Sequence, residues 1–124
     1  MKIETSNGEI VDKITILKIK ELKISNAKKL SNVKKELAQL LPLLQEIGIK
    51  EESEMYLEIL SINEQLWEVE DNIREKERLA VFDEEFIILA RAAYTLNDRR
   101  SVVKKRVNIS TDSFLVEEKN HDLS

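Results

Sequence analysis

A run of four polar residues, Asn97-Asp98-Arg99-Arg100, is the strongest candidate for chemistry in this sequence. It lies in a stretch with helical apolar spacing, where Asn and Asp are poor helix formers. Arg100 also occupies a position that the spacing assigns to an apolar side chain. Arginine forms paired hydrogen bonds with carboxylates and phosphates. We therefore expect the run to contact an acidic group, either in the protein or in a ligand.

The first part of the chain offers such a partner. Asp12, Lys13 and Thr15 lie on another predicted helix, and we expect them to meet the polar run inside a helical bundle. A polar cluster of this kind can fix the register of two helices, and we favour that role for Asp12 and Asp98. A site for a small anion or nucleotide is the alternative, carried by the cations. The candidate ligand-binding residues are Asp12, Lys13, Asn97, Asp98, Arg99, Arg100 and Lys104.

Several kinds of catalytic site are excluded by residue type. The one histidine, His121, lies in the tail, and there is no cysteine. A histidine-based triad, a histidine metal cluster and a thiolate metal site therefore cannot be assembled. Gly8 and Gly48 are isolated, so there is no glycine-rich phosphate loop. We predict no metal site and no cofactor, and the sequence does not decide whether the protein is an enzyme.

Four acidic residues have a spacing that suggests a divalent-metal site. Glu51 and Glu54 are three residues apart, as are Glu68 and Asp71. This pattern resembles the one with which all-helical nucleotide pyrophosphohydrolases hold Mg²⁺. Those enzymes place the two pairs on separate helices, whereas here one predicted helix holds both, about 20 Å apart along its axis. We therefore favour a solvated acidic face.

A long predicted helix from Glu51 to Leu79 organises the rest of the chain. Its apolar residues are spaced four, three, four, three and four apart, as in a coiled-coil seam, and neither glycine nor proline interrupts it. Trp67 lies one position past the seam and is predicted at the edge of the core. The seam residues are Met55, Ile59, Ile62, Leu66, Val69 and Ile73.

Two predicted helices precede this one. Ser6 begins a capping-box pattern with Glu9, so the first helix should start there. Its apolar residues between Ile10 and Ile24 are too many for one narrow stripe, which predicts contacts on two sides and motivates a homodimer. Asn26 is the predicted cap of the second helix, which has a heptad seam of its own.

Proline and glycine mark the end of that second helix. Pro42 falls inside its seam, and because the seam keeps its phase beyond the proline we expect a kink rather than an end. Gly48 is predicted to cap the helix at its C-terminus.

A fourth predicted helix starts after the cap Asp83 and runs to about Ser110. The tail from Thr111 contains one apolar patch, Phe114-Leu115-Val116, which could dock on the bundle or pair with the segment 2–5. The elements together predict an all-α fold, an antiparallel helix bundle of three or four long helices with coiled-coil-like packing. We expect one domain over residues 1–124, with about 8–110 helical and 111–124 as a C-terminal tail.

The composition places the chain among globular proteins. With 42% hydrophobic and 35% charged residues it is too apolar for a disordered chain and too charged for a membrane protein. No apolar stretch approaches the roughly 18 residues of a membrane span, and the first residues do not resemble a signal peptide. We predict a cytoplasmic protein with no membrane association.

Charge is arranged in blocks as long as helices. Residues 11–35 carry eight lysines against two acids, a balance of +6, and residues 45–77 carry eleven acids against three bases, a balance of −8. Residues 91–106 return to +5. We expect an acidic helix between basic neighbours. The overall charge of −4 argues against a dedicated nucleic-acid binder, so binding of nucleic acid through the basic first and second helices is a minor alternative.

Several ordered segments resemble a family of small uncharacterised bacterial proteins, a domain of unknown function sometimes met near surface-polysaccharide genes. These segments are Gly8 to Leu17, Leu30 to Val33, Leu66 to Arg74, Asn97 to Arg100 and Val116 to Lys119. The resemblance covers nearly the whole chain. It implies that the polar motifs at both ends of the chain belong to one pattern, and it implies no activity and no catalytic residue.

The sequence therefore predicts an uncharacterised helical interaction or regulatory module that self-associates as a homodimer. One alternative is a Mg²⁺-dependent enzyme or binding protein that acts on a nucleotide or phosphosugar, for which a small anionic ligand is the expected partner. The second alternative is weak nucleic-acid binding through the basic surface of the first two helices.

Overall fold

The computed structural model describes residues 3–113, and this part of the chain contains α-helices and no β-strand. The five helices are α1 (Asn7–Lys23), α2 (Ala27–Leu40), α3 (Leu43–Ile47), α4 (Glu54–Leu79) and α5 (Glu84–Ser110). The predicted all-α fold, with long helices packed against each other, is confirmed. In this described part, no helix combines the length and the apolar character needed to cross a membrane. The predicted tail patch from Phe114 to Val116 lies outside the described residues.

Each of the four longer helices begins with a capped first turn. A side-chain oxygen of the residue before the helix accepts a hydrogen bond from a backbone N–H of that turn, which has no partner within the helix. The predicted caps Ser6, Asn26 and Asp83 all act in this way. Ser53 is a fourth cap, and it places the start of α4 three residues later than the predicted Glu51.

Pro42 ends α2 rather than kinking it, which corrects the expectation from the sequence. α2 stops at Leu40, and the chain turns through Leu41 and Pro42 before the short helix α3 begins. The cause is that proline has no N–H to donate to the preceding turn. The apolar seam continues across the break, since Leu44 is buried. Gly48 ends α3 with a φ of 77°, as predicted.

α1 is the central helix of the bundle. It contacts α2, α3, α4 and α5, so other helices of the same chain lie against it on several sides. The predicted contacts on two sides are therefore present within one chain, although Leu22 is 85% exposed. The core is formed by Val11, Ile14, Leu17, Val33, Leu37, Leu44, Ile49, Tyr56, Ile59, Ile62, Leu66, Leu96, Val103 and Val107.

Parts of α4 and α5 extend beyond this core as a two-helix arm, residues 70–92, between Val69 and Ala93, which still pack against the core. No residue from 67 to 95 is buried, whereas both helices have buried residues outside that range. Ile73, Phe86 and Leu89 are half-buried in the arm. The rings of Phe82 and Phe86 meet edge to face, with centroids 5.2 Å apart. The arm therefore contains a narrow apolar contact and a large exposed surface.

The start of α1 is joined to the end of α5. The backbone N–H of Asn7 donates to Ser113 Oγ at 3.0 Å, and the N–H of Gly8 donates to Asn108 Oδ1 at 2.6 Å. Both donors belong to the first turn of α1 and have no acceptor within the helix. Gly8 also allows the close approach of the two helices, because a Cβ there would lie 2.3 Å from the backbone oxygen of Lys104.

Replacing Gly8 with alanine should therefore destabilise the protein, although alanine is the better helix former by about 1 kcal/mol. The added methyl group would meet the backbone of α5, and we expect the free energy of unfolding to fall by about 1 to 3 kcal/mol. Urea denaturation measures this change. Ser31→Ala, at an exposed position of α2, is the control and should change stability by less than about 0.5 kcal/mol. A Gly8→Ala variant as stable as the wild type would contradict the close contact.

Candidate functional site

Asp12 and Arg100 form an ion pair between α1 and α5. Arg100 Nε donates to Asp12 Oδ1 at 2.7 Å, and Arg100 Nη2 donates to Asp12 Oδ2. The side chain of Asp12 is 1% exposed, whereas that of Arg100 is 26% exposed. The predicted contact between Asp12 and the polar run is thus present, in the two-bond geometry that arginine and carboxylate favour.

A third helix completes this network. Asn63 of α4 donates through Nδ2 to Asp12 Oδ1 and to Thr15 Oγ1, both at 2.9 Å. Thr15 Oγ1 in turn donates to the backbone oxygen of Asp12 at 2.7 Å. Asn97 Oδ1 accepts a longer bond, 3.4 Å, from Arg100 Nη1. Across residues 3–113, every buried side-chain nitrogen and oxygen has a hydrogen-bond partner.

The surroundings of Arg100 favour its charged form. The hydrogen bond with Asp12 is the main cause of a raised pKa for Arg100, and burial of the guanidinium opposes it. The negative charges of Asp12, Glu9 and Glu70 raise the pKa further. A buried carboxylate without a partner would be costly, so the pair ties Asp12 to one position on α5.

Lys104 lies one helical turn after Arg100 and binds a different acid. Its Nζ donates to Glu9 Oε2 at 2.6 Å. With the Asp12 pair and the bond from Gly8 to Asn108, this contact makes a continuous line of polar interactions between α1 and α5. The sequence interpretation included Lys104 but not Glu9, which it had assigned to the helix cap alone.

The other candidate residues lie elsewhere, which corrects the expectation of one cluster. Lys13 is exposed and pairs with Glu36 of α2 at 3.2 Å. Asp98 and Arg99 line a surface groove of about 570 Å³ on another side of α5. The reason is helix geometry, because consecutive residues point about 100° apart around the axis. Neighbours in sequence therefore face different surroundings.

Asn63 is the site residue that the sequence interpretation missed. It is 5% exposed and lies next to the seam residue Ile62. Asn is a poor helix former, so an asparagine in the middle of an apolar helical seam was a usable signal of a buried polar partner. The sequence could not show which helix that partner occupied.

The four acids with metal-like spacing are not brought together. Glu51 lies before α4 and pairs with Lys18 at 3.0 Å, while Glu68 pairs with Lys23 at 3.3 Å. Within residues 3–113 no group of three or more His, Cys, Asp or Glu side chains could hold a metal ion. Glu58 pairs with Arg106 at 3.1 Å, so acids of α4 contact bases of both α1 and α5. This is the charge arrangement expected from the sequence blocks.

The lysines of α2 do not take part in this charge pairing. Lys28, Lys29, Lys34 and Lys35 are exposed, and none makes an ion pair with another residue of the described chain. The α2 surface is therefore basic, and the nucleic-acid alternative stays a prediction.

Glu51 also affects a buried tyrosine. Tyr56 is 3% exposed, and its hydroxyl donates to Glu51 Oε1 at 3.5 Å. Burial, followed by the charge of Glu51 and this hydrogen bond, raises the pKa of Tyr56 to about 12. The folded state therefore keeps this phenol neutral above pH 10, where a tyrosine in an unfolded chain ionises, and ionisation favours unfolding.

Stability should consequently decline as the pH rises from about 10 to 12, and Tyr56 should contribute to that decline. Because its pKa is raised by folding, its contribution is complete below pH 10 and is lost as the phenol ionises. A spectrophotometric titration of tyrosine absorbance measures this, with Tyr56→Phe as the control. The transition present in the wild type and missing from the variant should centre near pH 12. If the transition that Tyr56→Phe removes were centred near pH 10 instead, it would contradict the buried placement of Tyr56.

Replacing Arg100 should lower the free energy of unfolding more than replacing Asp12. Arg100→Met would leave the carboxylate of Asp12 buried without its counter-charge, so we expect a loss of about 3 to 5 kcal/mol in the free energy of unfolding. Asp12→Asn keeps the shape of the side chain, and the partly exposed Arg100 can reach water, so about 1 to 3 kcal/mol is expected. Chemical denaturation measures both values.

Arg99→Met is the matched control for this comparison. Arg99 is the exposed neighbour of Arg100 and makes no ion pair within residues 3–113, so its replacement should change stability by less than about 0.5 kcal/mol. Equal losses at Arg99 and Arg100 would show that the pair has no special role.

Comparison with known proteins finds one family. The model of a family of unknown function (DUF6165) matches residues 1–124, the whole of this sequence. No curated protein matches the chain, and no solved structure matches it. The family match agrees with the resemblance seen in the sequence motifs.

Proposed function

We propose that the chain, which belongs to the family of unknown function DUF6165, is a helical interaction module that self-associates through the arm. The family assigns no role, so the proposal rests on the surfaces of the protein. The Asp12 network does not favour a ligand site at its centre, since its buried polar groups already have partners in the protein. The observation that carries the proposal is an exposed face of α5 with an apolar centre and opposite charges at its two ends.

The arm exposes several large apolar side chains. Half of the large exposed hydrophobic residues among those described lie within ten positions of the chain, at exposures of 37% to 60%. Half-exposed side chains of this size leave on the order of 100 Å² each in water, or about 500 Å² in total. Apolar patches of this extent commonly mark interaction sites. The residues are Leu79, Val81, Phe82, Ile87 and Ile88.

One face of α5 gives this surface a pattern. Glu84, Ile87, Ile88 and Arg91 have the spacing i, i+3, i+4 and i+7, which places them on the same side of a helix. All four are exposed. Glu84 and Arg91 make no ion pair with any residue from 3 to 113. Along this face the order of residues is therefore an acid, two isoleucines and a base.

A second copy of the chain is the partner that fits this pattern. A two-fold axis at Ile87 and Ile88 would bring two α5 helices together in opposite directions, so that each isoleucine pair meets its equivalent. The same rotation would set Glu84 of each copy opposite Arg91 of the other. Exposed apolar surface and unpaired charge would then be covered by one contact.

This proposal moves the self-association surface away from the first helix. The sequence-based case for a homodimer was the apolar character of α1 on two sides, and helices of the same chain lie against α1. The homodimer predicted from the sequence is retained in this proposal, with the arm as its contact surface in place of α1.

Ile88→Glu should convert the dimer to a monomer. It would place a carboxylate at the centre of the contact, where two copies of the charge would face each other without water. Ile88 is exposed in the single chain, so the fold should be kept. Light scattering should give twice the 14.4 kDa chain mass for the wild type and the single chain mass for the variant.

Ile109→Glu is the matched control, because Ile109 is an isoleucine of similar exposure at the opposite end of α5, 64% against 58% for Ile88. It should leave the dimer intact. A wild-type protein that is monomeric at its highest soluble concentration would overturn the proposal, and so would dissociation by Ile109→Glu but not by Ile88→Glu.

Charge reversal tests the orientation of the two copies. Glu84→Arg and Arg91→Glu should each weaken the dimer, because each creates two like-charge contacts. The double variant should recover most of the affinity, since the opposite charges meet again with their positions exchanged. Sedimentation equilibrium measures the three dissociation constants, and a double variant weaker than both single variants would rule out this arrangement.

A further inference from the structure

A second surface, which includes the arm residues Glu70, Asp71 and Arg74 but not the exposed face of α5, has the composition of a small-molecule site. A groove of about 320 Å³ lies among α1, α4 and α5, next to the exposed edge of Arg100. This is the lower end of the volume range of ligand sites. Its apolar lining includes Ile19 and Leu66, which are buried, and Trp67, which is half-buried. The groove therefore combines an apolar floor with an aromatic side chain.

Three cations line the same groove. Lys20 is half-buried, Arg74 is exposed, and neither makes an ion pair with a residue in the described part of the chain. Arg100 is held in place by Asp12, and its hydrogen bonds to Asp12 and Asn97 use three of its five N–H donors. An anion in the groove would meet a guanidinium whose orientation is already fixed, which lowers the entropy cost of binding.

Two acids on the groove limit which anion can bind. Glu70 and Asp71 lie among the lining residues, and neither pairs with a cation of residues 3–113. Three bases line the groove, and they face Glu70, Asp71 and the buried Asp12 that pairs with Arg100. The groove therefore has no excess positive charge and suits a ligand with one phosphate better than one with three. The acids can accept hydrogen bonds from hydroxyl or amino groups of the same ligand.

We propose that this groove binds a nucleoside monophosphate. Its base would stack on Trp67, its phosphate would meet Lys20, Arg74 and Arg100, and its ribose hydroxyls would donate to Glu70 and Asp71. Each part of the ligand would therefore contact one feature of the groove. Stacking on an aromatic side chain tolerates any base, so the geometry assigns the class of ligand and not one base.

Trp67 is the single tryptophan of the chain, so its fluorescence reports on this groove alone. Titration with adenosine monophosphate should quench the fluorescence to saturation, because a stacked base lies against the indole. Adenosine and ribose 5-phosphate each lack one part of the ligand and should bind at least about tenfold more weakly. Adenosine triphosphate should also bind more weakly, because of the two acids.

Arg74→Ala should weaken adenosine monophosphate about tenfold or more, and Arg99→Ala, on another side of α5, should leave it unchanged. Arg100 is not suitable for this test, since its replacement is expected to destabilise the fold. The absence of saturable quenching would overturn the proposal, as would equal effects of the two variants. Inorganic phosphate binding as tightly as the nucleotide would overturn the role of the base. The Ile88→Glu variant should bind the nucleotide as the wild type does, which separates this site from self-association.

Discussion

The rest of the structure depends on the buried carboxylate of Asp12. A carboxylate that is 1% exposed is stable only where charged and neutral donors reach it together, and Arg100 and Asn63 supply them from two other helices. A shift of α1 by one turn along α5 would separate these groups and leave a buried charge. The network thus selects one register for three helices, which apolar side chains alone select weakly because they can exchange neighbours. In the same register Gly8 lies against the backbone of Lys104, and the side chain of Lys104 reaches Glu9.

Much of the fold could be predicted from the sequence, because helical signals are local. The seam of α4 predicted a long helix with Ile59, Ile62 and Leu66 in the core, and all three are buried. The caps Ser6, Asn26 and Asp83 needed only the residue types around them. Pro42 was harder, since a proline either kinks or ends a helix according to how the following residues pack, and that depends on distant parts of the chain. Leu22 shows the same limit, because its apolar character did not reveal that no helix within residues 3–113 covers it.

The candidate site was predicted less well, and for a physical reason. Grouping residues that are adjacent in sequence placed Arg99 with Arg100 and Lys13 with Asp12, but a helix turns neighbouring side chains about 100° apart. The contact between Asp12 and Arg100 was predicted because Arg100 is a polar residue at a position that its helix should bury, and such a residue needs a polar partner. Asn63 fits the same rule and was overlooked. Buried polar residues, rather than runs of polar residues, were the better guide.

The junction between the two ends of the bundle also bears on how the chain folds. Asn7 and Ser113 are 106 residues apart in sequence, and Asp12 and Arg100 are 88 apart. Closing a loop of this length costs about 4 kcal/mol of chain entropy before any of its contacts is made. The contact between α4 and α5 spans a short turn and can form first. We therefore expect α1 to join α4 and α5 late, and the buried pair to form on a template that already presents Arg100 and Asn63.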